Sequence, residues 1–163
     1  MRKSLEAVSL AALAFVVWIT WQAIYGPNPL PGRIPIHFDL AGHPNGWGSP
    51  ATLWIICAAP VGLYLFLSLM KTRLLEASNY PVEVTDENRD RLEALNLDLI
   101  AWIKTEMVCL FAWIQWSVLQ AARHPERGFA AIPQLIALLV VILATALWFK
   151  VAMRRAAHAG SGS

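Results

Sequence analysis

Charged residues, cysteines and catalytic motifs are all scarce in this chain. Only 15% of its 163 residues are charged and 57% are hydrophobic, which is far from the average for soluble proteins. The two cysteines, Cys57 and Cys109, lie in apolar runs, so a disulfide framework is not expected. The sequence has no phosphate-binding glycine loop, nucleophile elbow, HExxH or paired CxxC motif. No cofactor is predicted, and the scattered basic residues argue against nucleic-acid binding.

Four long apolar runs are what the chain has instead. They cover residues 8–25, 51–70, 99–119 and 130–149. Each is close to the roughly 20 residues that a helix needs to cross a bilayer, and backbone groups in lipid must be paired within the helix. The sequence predicts an all-α integral membrane protein, a single domain over 1–159 with four transmembrane helices at about 6–25, 51–72, 86–122 and 130–155. Residues 160–163 at the C-terminus are interpreted as a linker.

Lysine and arginine are unevenly distributed between the ends of these runs. Nine lie before the first run, between the second and third, and after the fourth, whereas three lie in the other two connections. By the positive-inside rule both termini are expected to be cytoplasmic. The connection between the first two runs is then extracytoplasmic.

This extracytoplasmic connection is rich in proline and glycine. Residues 26–50 hold six of the ten prolines and five of the nine glycines. From Ile34 to Leu40 apolar and other residues alternate, which predicts an extended segment with one packed face. The following "GHPNG" has the residues of a turn. We therefore expect an ordered loop over the helix ends.

His37, Asp39 and His43 allow three interpretations of this loop. They could be weak candidates for metal ligands, although H-x-D-x3-H is not a recognised zinc spacing. His37 oriented by Asp39 could act as a general base, but no nucleophile signature lies nearby. The third and favoured interpretation is that the imidazole and the carboxylate brace the loop through hydrogen bonds to each other and to the backbone.

The third apolar run carries polar residues at Lys104, Glu106 and Gln115. Lys104 is near the cytoplasmic end, so its long side chain is expected to reach the membrane surface. Glu106 sits deeper and is the better functional candidate, because intramembrane acids tend to face a bundle interior or a wet cavity. At helical spacing, Lys104 and Gln115 fall nearly opposite Glu106.

Three separated motifs resemble one membrane family. The stretch "IPIHFDLAGHPNGWGS" at 34–49 resembles the extracytoplasmic signature of the membrane domain of unknown function at the N-terminus of SdpI-type immunity proteins. "NYPVEVTDENRDR" and "FAWIQW" are similar to later stretches of stand-alone members. Asn45 and Pro50 depart from the pattern, which often has an acid and a lysine there. The resemblance implies protection against an extracellular peptide toxin, but this chain has fewer helices than SdpI-type proteins.

Two function hypotheses follow. The first is a non-enzymatic binding, sensor or immunity-type protein whose loop recognises an extracytoplasmic peptide or lipid. The residues expected to bind the ligand or organise the loop are His37, Phe38, Asp39, Gly42, Asn45 and Trp47. The alternative is a small membrane enzyme or transporter that uses His37, Asp39 and Glu106 in one cavity, with or without a metal. The lipid bilayer is the expected environment, and self-association into a homo-oligomer is left open.

Overall fold

The computed structural model describes residues 1–127 and 131–158. Its four α-helices are α1 (Arg2–Tyr25), α2 (Leu53–Glu76), α3 (Arg89–Arg123) and α4 (Ala131–His158). Between α1 and α2 the chain forms two antiparallel strands, β1 (Ile34–Phe38) and β2 (Pro44–Gly48). Short 3-10 turns occupy Pro50–Thr52 and Pro125–Arg127. The protein is therefore mostly helical, which fits the all-α expectation, and the connection between α1 and α2 contains one β-hairpin.

The observed helix ends differ from the predicted ends by a few residues. Helix α1 begins at Arg2 and α2 continues to Glu76, whereas α3 begins at Arg89 rather than near 86. The side chain of Asn88 accepts a hydrogen bond from the backbone N–H of Thr85 and donates one to the carbonyl of Glu83. These bonds stabilise a turn before the helix and compete with an earlier start. The predicted linker, 160–163, lies outside the described residues.

The helices alternate in direction, as side-chain pairs between them show. Three bonded side-chain pairs join α1 to α3, and the two residues of each pair are separated in sequence by a nearly constant 95, 96 and 98 positions, so α1 and α3 run parallel. The pairs are Thr20 with Gln115, Ser9 with Thr105, and Glu6 with Lys104. Gln134 near the start of α4 bonds to Ser117 of α3, and Thr145 later in α4 bonds to Glu106 earlier in α3. These two helices are therefore antiparallel. Helix α2 is also antiparallel to α3. The beginning of α1 and the end of α4 therefore lie at the same end of the molecule, away from the hairpin.

Helix α3 is the centre of the fold because it packs against each of the other three helices. Lys104 and Gln115 on one face contact α1 and α2, whereas Glu106 and Ser117 contact α4. Helix α4 packs chiefly on α3, and its outward apolar side chains are largely exposed. This exposure suits a helix surrounded by lipid.

Within the described ranges, three helical segments are long and apolar enough to cross a membrane. They are Arg2–Tyr25, Pro50–Glu76 and Ile132–Ala157. Helix α3 is longer, with 35 residues, but it is not one of these three. Its first turns are strongly charged, and Lys104, Glu106 and Gln115 lower the hydropathy of the remainder. The structure thus fits a membrane protein with at least three apolar helices.

A hydrophobic core joins the hairpin to the helix ends. Ile34 of β1 is fully buried and packs with Ala23, Leu53 and Val118, one residue from each of the three neighbouring helices. The backbone N–H of Leu30 donates to the carbonyl of Ala23 at 2.8 Å, which turns the chain back over α1. The hairpin is consequently attached to the helices by its first strand.

Candidate functional site

The tip of the hairpin is formed by residues 39–43, where Asp39 organises the turn. Its carbonyl accepts from the N–H of Gly42 at 3.0 Å, and its Oδ1 accepts from the N–H of His43 at 2.8 Å. Gly42 has a φ of 88°, a conformation that favours glycine. The predicted turn at "GHPNG" was thus placed too late, because Pro44 to Gly48 form β2. The capping carboxylate of Asp39 and the left-handed Gly42 complete the reversal before Pro44 is reached.

The two histidines of the hairpin have different partners. His37 Nδ1 is hydrogen-bonded to Asn45 Oδ1 across the two strands. His43 Nδ1 lies 3.5 Å from Asp39 Oδ2. The expected hydrogen bond between His37 and Asp39 is therefore replaced by two separate pairs, both of which brace the hairpin. Among the described residues no three His, Cys, Asp or Glu side chains come together as a metal site.

The hairpin favours the ionised form of Asp39. Its pKa is held below the ordinary value, first because the backbone N–H of His43 donates to the carboxylate, and further by the nearby His43 imidazole. Both interactions favour the ionised form. The turn therefore presents a negative charge beside His43 at neutral pH.

A cavity of about 520 Å³ lies under the hairpin, and we call it the hairpin cavity. On the hairpin side the cavity is lined by six consecutive residues of β1 and the turn, which are Ile34, Pro35, Ile36, His37, Phe38 and Asp39. Its lining from the helices includes Ile55 and Ile56 of α2 and Ile114 and Val118 of α3. The helix side is thus apolar, whereas the hairpin side carries an imidazole and a carboxylate. Such a pocket suits a ligand with an apolar body and a polar group.

The remaining predicted loop residues have structural positions around this cavity. Phe38 faces Pro44 in the strand register and lines the cavity, while Asn45 holds His37. Trp47 is opposite Pro35 and is 46% exposed. The predicted loop residues are therefore brought into one hairpin, in which His37, Phe38 and Asp39 reach the cavity itself.

The ammonium group of Lys104 is enclosed by the protein, whereas the sequence predicted that it would extend to the membrane surface. Its side chain is only 5% exposed, and its ammonium group forms an ion pair with Glu6 of α1. It also donates to Ser68 Oγ of α2 at 3.1 Å and lies 4.6 Å from the centre of the Tyr64 ring. The partners inside the protein satisfy the ammonium group, so there is no reason for the side chain to extend to water.

Sequence reasoning missed Glu6, Tyr64 and Ser68, which with Lys104 form a polar cluster between three helices. Tyr64 completes it by donating to Glu6 Oε2 at 2.9 Å. An acid within the first two turns of a predicted span was a usable signal for Glu6. Nothing in the local sequence of Tyr64 or Ser68 marked them.

Gln115 forms a second polar contact on the same face of α3, nearer the hairpin. Its amide nitrogen donates to Thr20 Oγ1 at 2.7 Å and to the carbonyl of Leu53 at 3.3 Å. The side chain is fully buried. Because its partners belong to α1 and α2, Gln115 fixes the three helices to one another near the floor of the hairpin cavity.

Glu106 lies on the opposite face of α3, at the contact with α4. Its Oε1 accepts a hydrogen bond from Thr145 Oγ1, while its buried Oε2 has no hydrogen-bond partner in the described part of the chain. It lines a smaller cavity, of about 290 Å³, with Cys109, Trp113 and residues of α4. This cavity shares no lining residue with the hairpin cavity in the described ranges. His37 and Glu106 are thus not brought together in one site.

Comparisons with known proteins identify only the first third of the chain. No curated protein and no solved structure shows significant similarity to it. Residues 10–61 match the family model DUF1648, a domain of unknown function. The match runs from α1 through the whole hairpin into the beginning of α2, so the chain is similar to this family in the segment that builds most of the hairpin cavity.

Proposed function

We propose that this chain is a non-enzymatic binding protein of a bacterial cytoplasmic membrane, which recognises an extracytoplasmic amphiphilic ligand through the hairpin segment 34–50. All four helices span the bilayer in this proposal, including α3, and both termini are cytoplasmic. The distribution of lysine and arginine supports this orientation. The alternating helix directions are compatible with it.

The observation that carries the proposal is the hairpin cavity. A connection that only joined two helices would need no ordered hairpin and no cavity beneath it. Here the buried Ile34 fixes β1 to the helices, while His37 and Asp39 remain at the polar side of the cavity. The ligand that fits has an apolar group for the isoleucine-lined side and a polar group for His37 or Asp39.

Helix α3 offers a route by which ligand binding could affect the cytoplasmic end. Ile114 and Val118 of α3 line the hairpin cavity, and the same helix carries Lys104 into the polar cluster with Glu6. A shift of α3 on ligand binding would alter both contacts because the helix is continuous from Arg89 to Arg123. The proposed function is therefore that of a sensor, and the resemblance to SdpI-type proteins suggests immunity as its biological form.

The alternative of an enzyme or transporter that uses His37, Asp39 and Glu106 together is less well supported. It requires these side chains to share one cavity, whereas His37 and Asp39 line one cavity and Glu106 lines another. The bonds of His37 to Asn45 and of Asp39 to His43 are also explained by bracing of the hairpin.

The test is to recover the ligand with the protein. Wild-type protein is extracted from its native membrane in polymer-bounded lipid discs, and bound peptides and lipids are identified by mass spectrometry. Ile114→Trp places an indole in the apolar side of the cavity, and His37→Ala removes a polar contact. We expect one amphiphilic species to be depleted about tenfold or more in both variants, which corresponds to about 1.4 kcal/mol of binding free energy.

Leu40→Ala is the matched control, because Leu40 is 89% exposed at the hairpin tip and does not line the cavity. It should retain the ligand at the wild-type level. Circular dichroism checks that each variant keeps its helices. The proposal would be contradicted if Ile114→Trp retained the species at the wild-type level. It would also be contradicted if no species were depleted in both cavity variants. Identification of a peptide or of a lipid distinguishes the two ligand classes.

A further inference from the structure

A cavity of about 380 Å³ lies between α1, α2 and α3, at the end of the molecule away from the hairpin. We call it the basic pocket, because its lining contains three cations, Arg2, Lys71 and Lys104, and one acid, Glu6. Arg2 belongs to the first turn of α1 and Lys71 to the last part of α2. The pocket therefore has an excess of positive charge beside the beginning of α1.

Two of the three cations have a counter-charge within the protein. Lys104 forms an ion pair with Glu6. The Nε of Arg2 lies 3.1 Å from Oδ1 of Asp98, a residue that borders the pocket without lining it. Lys71 forms no ion pair in the part of the chain that the structure describes. One positive charge of the pocket is thus left without an ion pair.

This remaining charge is accessible, together with most of the guanidinium group of Arg2. Lys71 is exposed, and the side chain of Arg2 is 52% exposed. The two Nη groups of Arg2 have no hydrogen-bond partner within the described ranges. Guanidinium and ammonium groups with unused donors are the preferred partners of phosphate oxygens. The mouth of the pocket is therefore suited to a phosphate group.

Most of the remaining lining is apolar. It includes Leu67 and Leu75 of α2 and Leu97 and Ile100 of α3, all of which are partly exposed. The pocket also lies at one end of α1 and α2, which are long and apolar enough to span a membrane, and headgroups meet the hydrocarbon core at the ends of such helices. Cations beside leucine side chains fit a phosphate attached to hydrocarbon better than they fit free phosphate.

From these features we propose that the basic pocket binds the headgroup of an anionic phospholipid from the leaflet at this end of the molecule. Arg2 and Lys71 contact the phosphate oxygens, and the apolar side chains contact the glycerol and the first methylene groups. A phosphodiester carries one negative charge, which matches the one cation without an ion pair. Basic pockets between membrane helices suit such headgroups, and 380 Å³ is within the range of ligand pockets. In the described ranges the site shares no lining residue with the hairpin cavity.

Native mass spectrometry tests the site by resolving the binding of single lipids. The complete protein, in micelles of an uncharged detergent, is titrated with phosphatidylglycerol or with phosphatidylcholine of the same acyl chains. We expect the first phosphatidylglycerol to bind about tenfold or more tightly than the first phosphatidylcholine, whose choline group brings a positive charge to the cations. Glycerol phosphate, which has no acyl chains, should not displace the lipid at the same concentration. Displacement by glycerol phosphate would show that the ligand is a soluble phosphate ester, and the lipid assignment would be wrong.

Two double variants with the same change in net charge separate the pocket from general electrostatic attraction. Arg2→Gln with Lys71→Gln should weaken the binding of phosphatidylglycerol on the order of thirtyfold or more, because two charge-assisted contacts are lost. Lys3→Gln with Arg73→Gln removes two exposed cations that do not line the pocket. Its affinity should stay within about threefold of the wild type, since exposed charges away from the ligand are screened. Equal losses in the two double variants would refute a specific pocket.

Asp98→Asn tests whether Arg2 contacts the lipid or only fastens α1 to α3. If Arg2 contacts the phosphate, removal of the competing carboxylate should leave the binding of phosphatidylglycerol unchanged or make it tighter. If Arg2 acted only through its ion pair with Asp98, Asp98→Asn would weaken binding as much as Arg2→Gln alone, which would overturn the proposal. Circular dichroism checks that each variant keeps its helices.

Discussion

At the scale of single residues, the ion pair of Lys104 and Glu6 is asymmetric. The side chain of Lys104 is 5% exposed, whereas that of Glu6 is 41% exposed. Loss of Glu6 would leave an ammonium group buried without a counter-charge, although Ser68 would still accept from it. Loss of Lys104 would leave a carboxylate that can reach solvent and still accepts from Tyr64. The two halves of the pair therefore have unequal effects on stability.

We predict that Glu6→Gln lowers the free energy of unfolding by about 3 kcal/mol, the range for breaking a buried pair. Lys104→Met should cost less than about 1 kcal/mol, because an apolar side chain of similar length replaces the ammonium group. Unfolding in mixed micelles, followed by circular dichroism, measures both. The double variant should be no less stable than Glu6→Gln alone. Equal losses in the two single variants would show that Lys104 is better solvated than its burial indicates.

At the scale of elements, the hairpin depends on close approach of its strands at Gly46. Gly46 is opposite His37 in the register, and a Cβ atom at Gly46 would lie 2.9 Å from the Cβ of His37. That distance is too short for two carbon atoms, so Gly46→Ala must displace β2 or the His37 side chain. The displacement would also disturb the bond between His37 and Asn45.

We expect Gly46→Ala to destabilise the hairpin by about 1–3 kcal/mol, as overpacking does elsewhere, while the helices remain folded. Hydrogen–deuterium exchange over residues 34–48 should become faster, with no change in α3. Gly32→Ala is the matched control from the same connection, since a Cβ there would have nothing within 4 Å. Unchanged exchange in Gly46→Ala would mean that the strands are less closely paired than the register indicates.

The hairpin and the polar cluster also show what the sequence could predict. The apolar runs predicted α1, α2 and α4, because each helix that lies in the hydrocarbon of a bilayer must itself be long and mostly apolar. The alternation after Arg33 predicted an extended segment, and β1 is extended. The turn was misplaced because both "DLAG" and "HPNG" have the composition of a turn. The turn forms at "DLAG" because the carboxylate of Asp39 accepts a hydrogen bond from the backbone N–H of His43, and the composition does not predict this bond. The pairing of Lys104 with Glu6, 98 residues away, depends on the relative register of α1 and α3, which no local pattern specifies.

At the scale of the whole molecule, the number of spans decides where the C-terminus lies. If α3 crosses the membrane, the alternating helices place the end of α4 on the same side as the beginning of α1. If only the three more apolar segments cross, the end of α4 is opposite the beginning of α1, which requires α4 to run parallel to α1 rather than antiparallel as in the structure. The buried partners of Lys104 and Gln115 favour the first arrangement, because they satisfy the polar groups of α3 within the protein.

Labelling of single cysteines in intact cells with a membrane-impermeant maleimide distinguishes the two arrangements. In a background with Cys57→Ala and Cys109→Ala, the exposed positions Leu40, Glu126 and Arg155 are changed to cysteine one at a time. With four spans and cytoplasmic termini, Leu40→Cys and Glu126→Cys should be labelled, and Arg155→Cys should react only after the cells are permeabilised. With three spans the last two results would be exchanged. Labelling of Arg155→Cys alone would instead mean that all four helices cross in the inverted orientation, and the hairpin cavity would then face the cytoplasm and could not bind an extracytoplasmic ligand.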